Sequence, residues 1–193
     1  MKYEYPIKIV FTGGACSGKT TLVEELERRH PEMFVAPEVA TEMIKSELES
    51  QKQDPDYVPK VPWLDYSIFG EEHNRRSVET EDSIPDGAIA LLDRSILDVA
   101  AYYQIRGHED LIPGVLKLAR EARYSFAFMC DPLEEYVVTE VRREPAEEIA
   151  RISTAISNVY EDSGMEIFAV KDGSVEARAD YVDSILHKKG LIS

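Results

Sequence analysis

Short apolar runs alternate along this chain with stretches whose apolar residues return at helical spacing. PIKIVFT (6–12) is β-branched and aromatic, is followed by Gly13-Gly14, and predicts a buried strand. Leu22, Val23 and Leu26 share one face of the next segment, which predicts a helix from Lys19 to His30. MFVAPE (33–38) predicts a short second strand. VATEMIKSELES (39–50) predicts a helix with Val39, Met43, Ile44 and Leu48 on one side. QKQDPDYVPKVP (51–62), with three prolines, predicts a surface loop, and 63–81 a further helix with Trp63, Tyr66, Ile68 and Phe69 clustered early. After the turn SIPDG, AIALLD (88–93) predicts a strongly apolar strand that ends on Asp93.

Helices over 95–105 and 109–122, a strand YSFAFMC (124–130), a helix 145–162, a strand MEIFAV (165–170) and a closing helix 175–188 complete the series. Residues 132–142 fit neither period. Apolar strands that alternate with amphipathic helices predict an α/β fold, a parallel sheet of about five strands covered by helices on both faces. No linker composition or internal repeat divides residues 1–193, which predicts a single domain.

Charge narrows the partners. There are 37 acidic against 22 basic residues, a formal net charge of −15. Such a surface repels phosphate backbones, so nucleic acid is not an expected partner, while a few arginines can still dominate one cleft. The N-terminus has no apolar core of a signal peptide, and no run is long enough to span a bilayer. Cys16 and Cys130 lie far apart and Cys16 falls inside the loop described next, so reduced thiols in a cytoplasmic protein are expected.

Gly13 to Thr20 reads GGACSGKT, a full match to the phosphate-loop pattern G-x-x-x-x-G-K-[ST], with the required strand before it and helix after it. Gly13, Gly14, Ala15, Cys16, Ser17 and Gly18 let backbone N–H groups turn in around phosphate oxygens at a positive helix end. Lys19 is placed to reach the β and γ phosphates, and the Thr20 hydroxyl to complete a Mg²⁺ shell. Thr21 is the next residue along this nucleotide-binding stretch. Cys16 suits close phosphate approach as a small filler, with a redox switch at the helix N-terminus as the alternative.

A parallel sheet binds its ligands at the carboxyl ends of its strands, which gathers this loop, Glu38 and Asp93-Arg94-Ser95 on one rim. Asp93, ending an apolar strand, is a candidate Mg²⁺ holder, Arg94 a candidate to neutralise phosphate charge, and Glu38 a candidate base for an attacking hydroxyl. Each has a plainer alternative. Glu38 could cap the helix from Val39, Asp93 could be an N-cap with Ser95 sharing that work, and Arg94 could pair with Asp98 or Glu38. Trp63, Tyr66 and Phe69 are candidates for stacking on a flat acceptor or for the core, Arg75 or Arg76 for meeting a phosphate, and Tyr102-Tyr103 share the ambiguity. The four histidines, His30, His73, His108 and His187, do not cluster.

LLDRSILDVAAYYQ (91–104) resembles the Asp-Arg motif of thymidylate kinases and the Asp/Glu-Arg-Ser motif of deoxynucleoside kinases. APEVA (36–40) resembles their Glu-Pro stretch, in the order Pro-Glu, so both base and cap stay open for Glu38. Over nearly the whole chain, IVFTGGACSGKTTL, PEVATEMI, LLDRSILDVAAY, VRREPAEE, VYEDSGMEIFAV and SVEARADYV resemble, in order, the small AAA-type P-loop ATPase family. That family includes the nucleotide-binding domain of a fly photoreceptor-channel translocation protein and is similar to ribosylnicotinamide kinase domains. The resemblance implies a kinase-like P-loop fold with strand order 2-3-1-4-5 and a lid over about 133–150. It also implies a site role for Arg142 in closing over the triphosphate, and the chance of a homodimer.

The expected activity is Mg-ATP-dependent phosphate transfer to a nucleoside, nucleotide or similar small metabolite. The alternative is an NTPase switch with slow hydrolysis. VKDG (170–173) lacks the Asn of the guanine-reading Asn-Lys-x-Asp motif, which favours ATP while leaving GTP open.

Overall fold

In the computed structural model, residues 3–133 and 146–193 are described. Five strands, β1 (Ile7–Thr12), β2 (Phe34–Ala36), β3 (Ile89–Asp93), β4 (Phe126–Cys130) and β5 (Ile167–Val170), form one parallel sheet in the order β2-β3-β1-β4-β5. This is the order that the family resemblance implied. The helices are α1 (Lys19–Arg29), α2 (Val39–Gln53), α3 (Tyr66–Asp82), α4 (Ile96–Arg106), α5 (Ile112–Ala122), α6 (Ala146–Asp162) and α7 (Val175–Lys188).

The strand alternation sorts the core into two layers. Ile9 and Phe11 on β1 and Phe126 and Phe128 on β4 point to the side covered by α1 and α7, where Leu22, Leu26, Val182 and Leu186 are buried with them. Val10 and Ala127 point to the other side, into a cluster with Ile96 and Ala100 of α4 and Ile152 and Ile156 of α6. Phe11 and Phe128 stack with centroids 5.1 Å apart, and each such side chain contributes about 2 kcal/mol by leaving water.

Local chemistry moves several boundaries. The helix expected from Trp63 begins at Tyr66, because Asp65 caps it by accepting from the N–H groups of Ser67 and Ile68. Trp63 therefore precedes the helix and packs, partly buried, against the core. The stretch expected as one helix over 109–122 begins with a 3₁₀ turn, Glu109–Leu111, before α5, where Pro113 fits the first helical turn. The lid region over 133–150 and Arg142 fall largely, and Arg142 wholly, outside the described residues.

Candidate nucleotide site

The phosphate loop bridges β1 and α1. Gly18 ends it with φ 66°, and a Cβ there would lie 2.5 Å from Nη1 of Arg178. Gly13 has φ 134°, and a Cβ there would lie 2.4 Å from the carbonyl oxygen of Cys130. Gly13 is thus required by backbone conformation and by close packing on backbone, and Gly18 by its backbone conformation. Ala15 to Thr21 line a cavity of about 350 Å³, whereas Gly13, Gly14 and Asp93 are not in its lining. Arg178, from α7, donates Nη2 to the carbonyl oxygen of Ser17 at 2.7 Å and braces the loop from outside. Both cysteines are free thiols.

Lys19 is buried in the hollow of the loop. Its Nζ donates to the carbonyl oxygens of Gly13 and Gly14, at 3.0 and 2.8 Å, and to Oγ of Ser17 at 3.0 Å. Burial, helped by the nearby Arg94 guanidinium, lowers its pKa to about 8. Thr20 Oγ1 donates to Oδ2 of Asp93 at 2.6 Å and so ties the loop to the end of β3. The other oxygen, Oδ1 of Asp93, is buried without a partner among the described residues. Burial and the neighbouring Glu38 carboxylate push the Asp93 carboxyl up from its ordinary value. A buried carboxylate oxygen with an open valence beside a phosphate loop suits a hard cation brought in with a triphosphate, so Thr20 and Asp93 fit Mg²⁺.

The geometry bears on the plainer alternatives that the sequence leaves open. Glu38 stands at the N-cap position of α2 but its side chain makes no cap bond. It accepts instead from Thr41 Oγ1 at 2.5 Å and from Nε of Arg94 at 3.1 Å, facing the cavity. Burial raises the Glu38 pKa, but the charge of Arg94 and the Thr41 bond outweigh it, and the net direction is down. Asp93 does not cap α4. Ser95 does, its Oγ accepting from Leu97 N while Asp98 Oδ2 accepts from Ser95 N. Arg94 adopts φ 78°, a left-handed conformation uncommon for a long side chain and of the kind found at functional sites. It pairs with both carboxylates named as alternatives, donating Nη1 to Asp98 Oδ1 at 3.0 Å as well as meeting Glu38.

Tyr66 and Phe69 serve core and cavity at once, and Tyr102 stacks on Tyr66 at 5.2 Å and 11°. Tyr103 is buried against Gly70 and does not line the cavity. Arg75 and Arg76 are also elsewhere, held on the outer face of α3 by Glu72, with Glu79 pairing Arg75 as well.

Asp98 and His73 were not among the expected site residues. Asp98 was reachable from the Ser95-x-x-Asp98 capping-box spacing and its i,i+4 relation to Arg94. His73 offered no such signal, since it sits in a mostly polar helix. Burial lowers its pKa to about 4, so its ring faces the cavity uncharged.

An AAA-domain family model matches residues 8–178. No curated protein sequence matches the chain. Among solved structures, it is similar to thymidylate kinase from Candida albicans, at 14% identity and TM-score 0.64, covering 96% of this chain and 93% of that one. Thymidylate kinase from Ehrlichia chaffeensis gives 15% identity and TM-score 0.58 over 95% and 99% of the two chains. NadR protein in complex with NR gives 18% identity and TM-score 0.68, over 95% of this chain but only 50% of that one, so the chain spans about half of NadR. At these identities the solved structures establish the fold, that of the P-loop kinases. Among the described residues, no helix is long and apolar enough to cross a membrane. The family match, which runs from β1 into α7 and takes in the phosphate loop, Glu38 and Asp93-Arg94, makes this chain a member of the AAA-domain family.

Proposed function

We propose that this protein is a Mg-ATP-dependent phosphotransferase that acts on a nucleoside, nucleotide or similar small metabolite. The observation that carries the proposal is one continuous cavity joining the phosphate loop to the Glu38–Arg94 pair and on to the aromatic walls. A site that only held a nucleotide would not need a second compartment lined by a carboxylate, a guanidinium and flat rings. The same compartment in a kinase receives the acceptor beside the γ-phosphate.

In this reading the loop N–H groups and Lys19 hold the β and γ phosphates. Thr20 and Asp93 hold the magnesium ion, which when bound offsets charge on the phosphate oxygens. Arg94 offsets charge on the transferring group, and the ionised Glu38 orients the acceptor hydroxyl and takes its proton. A carboxylate of lowered pKa suffices for that task, because proton transfer comes late in a loose phosphoryl-transfer transition state. ATP is favoured over GTP by the missing guanine-reading motif.

The test is ADP release from Mg-ATP, with GTP in parallel, with and without pooled nucleosides, nucleotides and other small hydroxylated metabolites. Pool-dependent release is expected, falling by about 100- to 1,000-fold in folded Lys19→Ala and Asp93→Ala proteins. Slow release indifferent to the pool would instead favour an NTPase switch.

A further inference from the structure

We propose that the acceptor carries no phosphate of its own, so that the site takes a nucleoside-like hydroxyl compound and rejects the corresponding monophosphate. This rests on the phosphotransferase reading of the same cavity. Among the described residues lining that cavity, Lys19 and Arg94 are the cationic side chains. Lys19 belongs to the triphosphate end, wrapped by the loop. Among the described residues the acceptor end is left with Arg94, and Arg94 is already engaged by two carboxylates, Glu38 at 3.1 Å and Asp98 at 3.0 Å. Two negative charges against one positive make the described lining of this end net negative before any acceptor arrives.

Nor can the second carboxylate step aside. Asp98 is 2% exposed and is pinned by Thr12 Oγ1 at 2.9 Å, Tyr160 OH at 2.7 Å, Ser95 N at 3.1 Å and Arg94. Those donors come from β1, α6 and the start of α4, so releasing Asp98 would dismantle the packing of three elements. A phosphate dianion placed beside it would meet like charge. His73 adds no positive charge near neutral pH, since burial holds its pKa at about 4.

The remaining walls suit a flat uncharged ring. Tyr66 stacks on Tyr102, with Phe69, Ile44 and Pro62 completing an apolar slot. Transfer then forms an O–P bond from the acceptor oxygen to the γ-phosphorus and breaks the bond to the β–γ bridging oxygen. ADP leaves with that electron pair, and the hydroxyl proton passes to Glu38.

The experiment measures ADP release and phosphorylated product from Mg-ATP with adenosine, guanosine, cytidine, uridine and thymidine, each against its own 5′-monophosphate. At least one nucleoside should be turned over with kcat/KM at least about 100-fold above that of its monophosphate. Equal or faster turnover of a monophosphate overturns the inference and leaves the phosphotransferase reading standing. Turnover of neither series, with ATP binding intact, overturns the inference, and the wider metabolite pool then decides the phosphotransferase reading. Asp98→Asn, which removes the charge and keeps the shape, should shrink the discrimination ratio by about tenfold. Tyr160→Phe, which loosens the same network without altering charge, should leave the ratio where it was. A folded Asp98→Asn protein with an unchanged ratio would also overturn the inference.

Discussion

Of two clusters of buried charge among the described residues, Lys8–Glu81 and Glu38–Arg94–Asp98, only the second adjoins a cavity large enough for a substrate. Lys8 Nζ meets Glu81 Oε2 at 3.0 Å, and Tyr124 OH donates to Glu81 Oε1 at 2.7 Å while accepting from Ile96 N. Both carboxylate oxygens are satisfied, and the cavity Glu81 lines holds about 20 Å³, room for about one water. The Arg94–Glu38 pair is less deeply buried and borders about 350 Å³, whereas Asp93, whose Oδ1 has no partner among the described residues, lines the same small cavity as Glu81. Buried charge alone therefore does not mark a site. A hollow large enough for a substrate beside it does.

The largest expected effects separate the two clusters. Lys8→Met leaves Glu81 buried and unpaired and should cost about 3–5 kcal/mol in urea unfolding, with ATP affinity unchanged. Adding Glu81→Leu should recover most of that loss, because a well-packed apolar pair often does as well as a buried ion pair. Arg94→Met should cost a similar amount of stability, since Glu38 and Asp98 then repel, and should also abolish phosphate transfer. If Lys8→Met weakened ATP binding in step with stability, the distinction between a structural and a functional cluster would collapse.

A smaller effect concerns His73, which shares the cavity lining with Asp98, Arg94 and Glu38. Its folded pKa is about 4 against an ordinary 6.5, so in that window the unfolded chain binds the extra proton. Stability contributed by the neutral ring is full above pH 6.5 and is lost as the pH falls. Between pH 6.5 and about pH 5 the wild type should lose about 2 kcal/mol relative to His73→Phe. Parallel stability curves for the two proteins would mean that the ring is hydrated and the acceptor end wetter than its packing implies.

What can be read from sequence follows from how local each requirement is. The phosphate loop is legible because wrapping a phosphate demands small residues, Lys and Thr at fixed spacing in one short stretch. Asp93 is legible as the acid that ends an apolar strand, and the strand order comes with the family resemblance. The acceptor end is less legible, because α2, α3 and α4 meet there only in three dimensions. Periodicity groups Trp63 with Tyr66 and Phe69, yet one capping aspartate, Asp65, starts the helix after Trp63 and leaves it off that face. Arg75 and Arg76 look available for a phosphate until Glu72 and Glu79 are seen on the same turns. The brace from Arg178 to the loop has no local signature, since it depends on α7 packing against α1.

The last comparison is between the charge on Lys19 with and without nucleotide. In the free protein, burial, with Arg94 adding to it, brings Lys19 to about 8, while Asp93 and Glu38 pull the other way. Phosphate oxygens around the ammonium would raise that value in the complex. Above about pH 8 the free protein therefore gives up a proton that the complex keeps. The ATP association constant should fall by up to about tenfold per pH unit there and stay level just below. Stability of the free protein moves the opposite way, rising between about 8 and 10.5 because the unfolded chain holds the proton longer. Lys19→Arg, charged throughout, should bind ATP with an affinity flat across the same range, and calorimetric titrations at stepped pH would compare the two proteins. A flat wild-type profile would mean that Lys19 stays charged and that the carbonyls of Gly13 and Gly14 outweigh its burial.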